Sequence, residues 1–285
     1  MTVVSSDGVR LHVVRAGSGP PVILLHGFPE FSFSWRHQIG PLAAAGFSVL
    51  APDLRGSHLS DKPQGVAAYR IERLVADVAA LVDATGQPRA HIVGHDWGGL
   101  IAWYFAATRP DLTLTLAVLN APHPDVYRRI LWRSPQWRKS LYVPLFMMPA
   151  LTARLLAAGN YFLLRQMFQR GAARRGAFSE DALTRYVSAA AMPGALSAGL
   201  NYYRANATMG WTSTSLPRIA TPTLVIWGED DPALDLALLS GLDGVVDDLK
   251  VVRLPDIGHW VQNEAPERVT ALLLSHLQRA SHLNA

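Results

Sequence analysis

Gly94-His95-Asp96-Trp97-Gly98-Gly99 places a carboxylate among small residues, directly after the apolar run 90–93 and before the helix-like stretch 97–107. Small-x-acid-x-small at a strand-to-helix junction is the pattern of a sharp turn with one side chain exposed at its tip. The glycines are needed because the backbone must crowd against itself there. Asp96 would sit at the positive end of the following helix, a field that suits an anionic nucleophile. A carboxylate attacking a saturated carbon forms an ester, which an activated water can open. A serine attacking the same carbon would leave an ether, which water does not readily cleave. Aspartate at this position therefore points to displacement at an sp³ carbon, such as that of an epoxide or haloalkane, rather than to an esterase or lipase. An aspartate that merely caps a helix is the plain alternative, so the reading depends on partners elsewhere in the chain.

Those partners occur. The run 22–25 leads into His26-Gly27-Phe28-Pro29-Glu30, a loop able to aim a backbone N–H at the point addressed by the N–H after the nucleophile. The N–H groups of Phe28 and Trp97 would then form an oxyanion hole. Gly27 permits close approach, Pro29 is suited to a cis bond, and His26 is read as fixing the loop. Downstream, Gly228-Glu229-Asp230-Asp231-Pro232 follows the run 223–227, and Gly258-His259-Trp260 follows 251–254. The order nucleophile, acid, histidine is that of a hydrolase triad. His259 would be the general base and Asp231 its orienting acid, with Glu229 and Asp230 as alternatives. The other histidines (His12, His37, His58, His91, His95, His123, His276 and His282) lack metal-ligand spacing and read as structural or surface groups. No metal site and no cofactor are expected.

The elements that must position these groups follow from the pattern of apolar runs. Strands are predicted at residues 10–15, 22–25, 48–51, 90–93, 114–119, 223–227 and 251–254, with helices at 71–84, 97–107 and 266–279. This alternation predicts an α/β protein with a mostly parallel sheet flanked by helices. The rhythm stops after Asn120-Ala121-Pro122-His123-Pro124 and resumes near residues 217–222. The intervening stretch reads as all helix and is taken as a lid, 123–216, inserted in a core formed by 1–122 and 217–285. At 285 residues and 49% hydrophobic, the chain suffices for one large domain with such an insertion. Between residues 121 and 210 there are 12 Lys/Arg against 3 Asp/Glu, a local charge of +9 that leaves −5 elsewhere from the total of +4. No nucleic-acid-binding motif accompanies that charge, so solvated arginines are the reading. Residues 141–158 are the most apolar but carry two prolines and Arg154, which is too broken for a membrane span. The absence of cysteine suits a reducing cytoplasm, the expected location, and the N-terminus does not read as a signal peptide.

Taken together, the chain resembles an epoxide hydrolase of the α/β-hydrolase fold through most of its length. The matching stretches are His26-Gly27-Phe28-Pro29-Glu30 with Ser34-Trp35-Arg36-His37-Gln38, Pro52-Asp53-Leu54-Arg55-Gly56 with Ser60-Asp61-Lys62-Pro63, the Asp96 turn, Asn120-Ala121-Pro122-His123-Pro124, and Gly258-His259-Trp260. The resemblance implies two lid tyrosines that hydrogen-bond the epoxide oxygen and protonate the opening alkoxide. They map to Tyr142 in Ser140-Leu141-Tyr142-Val143-Pro144 and to Tyr203 in Asn201-Tyr202-Tyr203-Arg204, with Tyr202 and Tyr161 as alternatives. Phe28, Trp97, Tyr142 and Tyr203 would line the substrate site. The chain departs from the family at His58, where glycine is usual, and at Tyr202, where tryptophan is usual. The implied activity is cofactor-independent conversion of a small apolar epoxide to a vicinal diol, in a chain compatible with a homodimer. The nearest rival is a haloalkane dehalogenase, which needs a second halide donor that Trp132, Trp137 or Trp211 could supply. A fluoroacetate-type dehalogenase fits less well, because no arginine follows Asp96 before Arg109. A non-catalytic ligand-binding relative is the third reading.

Overall fold

Strand side chains alternate between two apolar layers, and this alternation organises the whole molecule. In β3 (Pro21–Leu25), Ile23 and Leu25 enter one layer while Val22 and Leu24 enter the other. The same holds in β6 (Thr113–Leu119), where Leu116 and Val118 oppose Ala117 and Leu119. Successive side chains of a strand point to opposite faces, so a sheet covered on both sides reads as unbroken apolar sequence. Each aliphatic side chain so buried contributes about 1.5–3 kcal/mol.

The computed structural model describes residues 2–6, 8–206 and 215–283. The remaining strands are β1 (Thr2–Ser6), β2 (Val9–Ala16), β4 (Ser48–Pro52), β5 (Ala90–His95), β7 (Thr223–Gly228) and β8 (Leu249–Leu254). They form a sheet of order β1-β2-β4-β3-β5-β6-β7-β8. The pairs β1/β2 and β2/β4 are antiparallel, whereas every pair from β4 to β8 is parallel. All seven predicted strands are present, β8 starting two residues earlier than predicted. β1 was not among them: its Thr-Val-Val-Ser-Ser sequence at the sheet edge is half polar and carries no clear periodicity.

Helices cover both faces. α1 (Arg36–Ala44) lies on one side, while α2 (Ile71–Asp83) and α3 (Trp97–Thr108) lie on the other. In α2 the buried positions Ile71, Leu74, Val78, Leu81 and Val82 form one stripe, the spacing of an amphipathic helix. Asp77 on that stripe is ion-paired with buried Arg55, with bonds of 2.6 and 2.7 Å. α3 is buried on almost every side, which is why it is apolar all round.

Between β6 and its parallel neighbour β7 the chain forms α4 (Pro124–Ile130), α5 (Gln136–Lys139), α6 (Val143–Phe146), α7 (Pro149–Gly171), α8 (Glu180–Ala191) and α9 (Ala195–Asn206). α7 breaks at Ala158–Tyr161, where Gly159, Asn160 and Tyr161 have positive φ. This helical insertion has its own apolar cluster, centred on Phe168, Tyr186 and Leu164 and packed against Phe31 and Trp260 of the core. α9 is tied down by polar bonds as well: Asn206 Oδ1 accepts the Ile71 N–H at 2.9 Å and its Nδ2 donates to the Tyr69 carbonyl at 2.9 Å. After β8 come α10 (Val261–Glu264) and α11 (Pro266–Leu283). No single helix among the described residues is long and apolar enough to cross a membrane.

Candidate active site

β5 ends at His95 and α3 begins at Trp97, so Asp96 alone makes the turn. It does so at φ 50° and ψ −120°, a conformation strained for a residue with a Cβ. The turn closes because its neighbours are glycines. A Cβ on Gly94 would lie 2.3 Å from the Gly98 carbonyl oxygen, and one on Gly98 would lie 2.2 Å from that of Leu25. Gly27 likewise has no room for a side chain, since a Cβ there would meet the Asp96 Cβ at 2.4 Å. That closeness lets the Phe28 N–H donate to Asp96 Oδ1 at 2.8 Å. The Phe28-Pro29 bond is cis. His26 holds this loop by accepting the Leu54 N–H on Nε2 at 2.9 Å.

His259, in the turn after β8, faces Asp96 from the other side. Its Nδ1–H donates to Asp231 Oδ2 at 2.7 Å, and its Nε2 stands 3.6 Å from Asp96 Oδ2. Of the three acids after β7, Asp231 is the one that meets His259; Glu229 pairs with Arg253 at 2.8 Å and Asp230 is exposed. Asp231 also accepts the N–H groups of Ala233 (2.7 Å) and Leu234 (3.0 Å) and the side-chain amide of Asn120 (2.7 Å). Burial works against its charge, but the His259 imidazole and these donors hold its pKa below the ordinary carboxylate value. For His259 the balance runs the other way. Burial opposes protonation, yet the carboxylates of Asp231 and Asp96 raise its pKa well above that of a free imidazole.

Sequence reasoning missed the support beneath this pair. His95 points Nδ1 at Glu30 Oε2 (2.9 Å) and Nε2 at the His259 carbonyl oxygen (2.9 Å). Both ring nitrogens of His95 are thus engaged by acceptors. Glu30 further accepts from the Gly27 N–H (3.1 Å), the Ser34 hydroxyl and the Gln262 amide (3.2 Å). Despite burial, its pairing with His95 and these donors lowers its pKa to about 2. The signal was a charged residue in the otherwise apolar His26–Glu30 loop. Asn120, quoted only as part of a motif, adopts a φ of 36° and braces Asp231.

His12 and His58, read from the sequence as structural or surface groups without metal-ligand spacing, meet on one carboxylate. Both donate Nδ1–H to Asp53 Oδ2, at 2.8 and 2.9 Å, and the three form a set with metal-ligand composition that spacing along the chain did not reveal. Asp53 also accepts the N–H groups of Ser32 (2.9 Å) and Leu59 (3.3 Å). The carboxylate is thus satisfied by protein donors, and the neighbouring Lys62 ammonium donates to the His58 and Ser60 carbonyls. His58, standing where the resemblance implies glycine, keeps the positive φ (38°) that a glycine would supply.

A cavity of about 450 Å³ opens over Asp96, between the core and the insertion. Asp96, Trp97 and Leu100 form its floor, and Tyr142 and Tyr203 its walls. The two tyrosine rings lie edge to face with centroids 6.4 Å apart. Trp97 packs edge-on to Tyr203, with ring centroids 4.9 Å apart. Burial, reinforced by the nearby Asp96 carboxylate, pushes the pKa of both phenols up, so both remain protonated donors at neutral pH. The alternatives sit elsewhere. Tyr202 donates to the Arg55 carbonyl at 2.7 Å, and Tyr161 lies in the α7 break away from the cavity lining. Trp132 and Trp137 line the cavity further out; Trp211 lies outside the described residues. The segment bearing Tyr142 is anchored to the acid-bearing loop. Gln136 Nε2 donates to the Ala233 carbonyl at 2.9 Å, and Lys139 Nζ donates to the carbonyls of Asp231 (2.7 Å) and Leu234 (3.1 Å).

This architecture and this set of facing groups define a hydrolase, and comparison with known proteins gives the same class. Residues 20–266 match the alpha/beta hydrolase fold family. An AB hydrolase superfamily protein, YfhM, of Bacillus subtilis is 38% identical, over 96% of each chain. Epoxide hydrolase A of Mycobacterium tuberculosis is 34% identical, again over 96% of each chain. Among solved structures, a Bacillus megaterium epoxide hydrolase in complex with an inhibitor superposes with a TM-score of 0.90 at 30% identity, covering 97% of this chain and 100% of that one. The chain belongs to the epoxide hydrolases of the α/β-hydrolase fold.

Proposed function

We propose that the protein converts a small apolar epoxide to a vicinal diol through an ester on Asp96, with residues 123–216 acting as a lid on a core of 1–122 and 217–285. The observation that carries this reading is that Asp96 and two protonated tyrosines line the same apolar cavity. Asp96 Oδ1 is engaged by Phe28, which leaves Oδ2 to attack an epoxide carbon. As that carbon–oxygen bond forms, the ring carbon–oxygen bond breaks, and Tyr142 and Tyr203 bind the departing oxygen and give it a proton. Ester formation removes the negative charge of Asp96, one of the two charges that raise the His259 pKa. The imidazole then becomes the stronger candidate to take a proton from water. The resulting hydroxide adds to Cγ of Asp96 while the N–H groups of Phe28 and Trp97 hold the oxyanion. Collapse breaks the bond between Cγ and Oδ2, and the leaving alkoxide takes the proton back from His259. The new carboxyl group loses its own proton, which restores the tyrosine. Aspartate, histidine, tyrosine and water account for every bond and proton, so the proposed cycle calls on no cofactor. The cysteine-free sequence supports a cytoplasmic setting.

A single turnover in water enriched in heavy oxygen tests the scheme. The first diol should be unlabelled, because its new oxygen is Asp96 Oδ2, and the label should appear in the peptide containing Asp96. A diol labelled in that first turnover would rule the ester out.

A further inference from the structure

The lid carries a surface that the reaction does not use. Between Val126 and Ser179 there are ten Lys/Arg and no Asp or Glu. Within that stretch, large apolar side chains stand in the open: Trp132 is 63% exposed, Leu141 65%, Met148 55% and Phe162 57%. Leu151 and Leu155 are exposed one turn apart on α7, with exposed Arg154 between them. Arg133 and Arg138 are exposed beside Trp132 and Trp137. Scattered apolar residues on a surface need no explanation, but a set concentrated in one segment whose only charged side chains are cations does. The face is continuous with the cavity: Trp132, Trp137 and Leu141 line the cavity and are themselves exposed, so the mouth opens onto it.

We infer that this face of the lid adsorbs to an anionic lipid bilayer, with the cavity mouth against the membrane surface. The chemistry matches an interfacial helix: apolar side chains enter the boundary between headgroups and acyl chains while arginines pair with lipid phosphates. Exposed Trp132 has the amphipathic ring that settles at that depth. The absence of carboxylates in the stretch means that no like charge in it opposes the approach. An apolar substrate dissolved in the bilayer would then meet the mouth directly. The adsorption itself does not depend on the reaction assigned to the cavity, so it is measured separately from turnover.

The test is co-sedimentation of the intact protein with sucrose-loaded vesicles of phosphatidylcholine alone or mixed with phosphatidylglycerol. Binding should require the anionic lipid and weaken as salt is raised. Tryptophan emission should shift to the blue in the bound fraction. Arg154→Glu should lower partitioning about fivefold or more, and Leu151→Gln with Leu155→Gln about tenfold, all three positions lying outside the cavity lining. Two results overturn the inference. One is a wild-type protein that stays in the supernatant at low salt with every vesicle. The other is a protein that binds no vesicle but forms a dimer in solution that Leu151→Gln with Leu155→Gln dissociates, which would make the face a contact between copies.

Discussion

His259 Nε2 lies 3.6 Å from Oδ2 of Asp96, too far for a good hydrogen bond and close enough for each charge to govern the other. Asp96, the nucleophile of the proposed cycle, therefore tunes His259, its base. Asp231 and Asp96 together raise the His259 pKa well above that of a free imidazole. Asp96→Asn removes one anion and should move the His259 titration, followed by NMR, to lower pH. Since turnover needs neutral His259 on the ester, breakdown of the ester should slow as pH falls through that lowered value. A midpoint unchanged in the variant would show that the two groups do not communicate.

Breaking the base exposes the intermediate. His259→Gln should still alkylate, and intact mass should show protein plus one epoxide after incubation with a substrate that the wild type turns over. Asn120→Ala should do so more weakly, because losing the buried 2.7 Å bond to Asp231 costs about 1.5–3 kcal/mol. Both variants should be slowed in hydrolysis more than in alkylation, which pre-steady-state mass measurements separate.

The proposed cycle assigns Tyr142 and Tyr203 to the other half-reaction. Either Phe substitution should slow alkylation while the remaining hydroxyl supports partial activity. The double variant should lose about 10²- to 10⁴-fold, the usual contribution of general acid catalysis. Tyr202→Phe should leave alkylation close to wild type and reduce stability, since its hydroxyl serves the Arg55 carbonyl.

The elbow has no spare volume. Gly98→Ala would press a Cβ to 2.2 Å from the Leu25 carbonyl, so β3 and α3 must separate. Overpacking of this kind costs about 1–3 kcal/mol, and the denaturation midpoint should fall accordingly. Activity should drop further than stability does, because the shift also moves Asp96 away from the Phe28 N–H.

Glu30 sets part of the acid response. Its carboxyl falls from an ordinary 4.5 to about 2 in the folded protein, so the unfolded chain binds the extra proton in that window. The stabilisation is complete above about 4.5 and disappears as pH falls towards 2. Glu30→Gln should be less stable at neutral pH yet show a flatter dependence across that window in urea titrations. A variant with the same acid slope as wild type would remove Glu30 from the account.

Much of this molecule was legible in the sequence because its strands are buried on both faces. Residues 22–25 are apolar without interruption and 90–93 are broken only by His91, and the turn at Asp96 announces itself through obligatory glycines. Asp231 and His259 were found by order along the chain. What escaped were relations between residues far apart: Glu30 with His95, Asn120 with Asp231, and His12 and His58 on Asp53. Such pairs are made by tertiary proximity, and no periodicity marks them. β1 escaped because a short polar edge strand lacks the apolar pattern that identifies buried ones.

Lys139 lends its ammonium to the backbone of Asp231 while belonging to the helix that leads to Tyr142. One side chain is thus a common footing for the tyrosine that the proposed cycle uses in ring opening and the aspartate that holds His259. Drift in that helix would be felt in both chemical halves of the cycle together. Changes that reshape the pocket near Tyr142 to admit a different epoxide will therefore carry a penalty in deacylation unless this footing is kept.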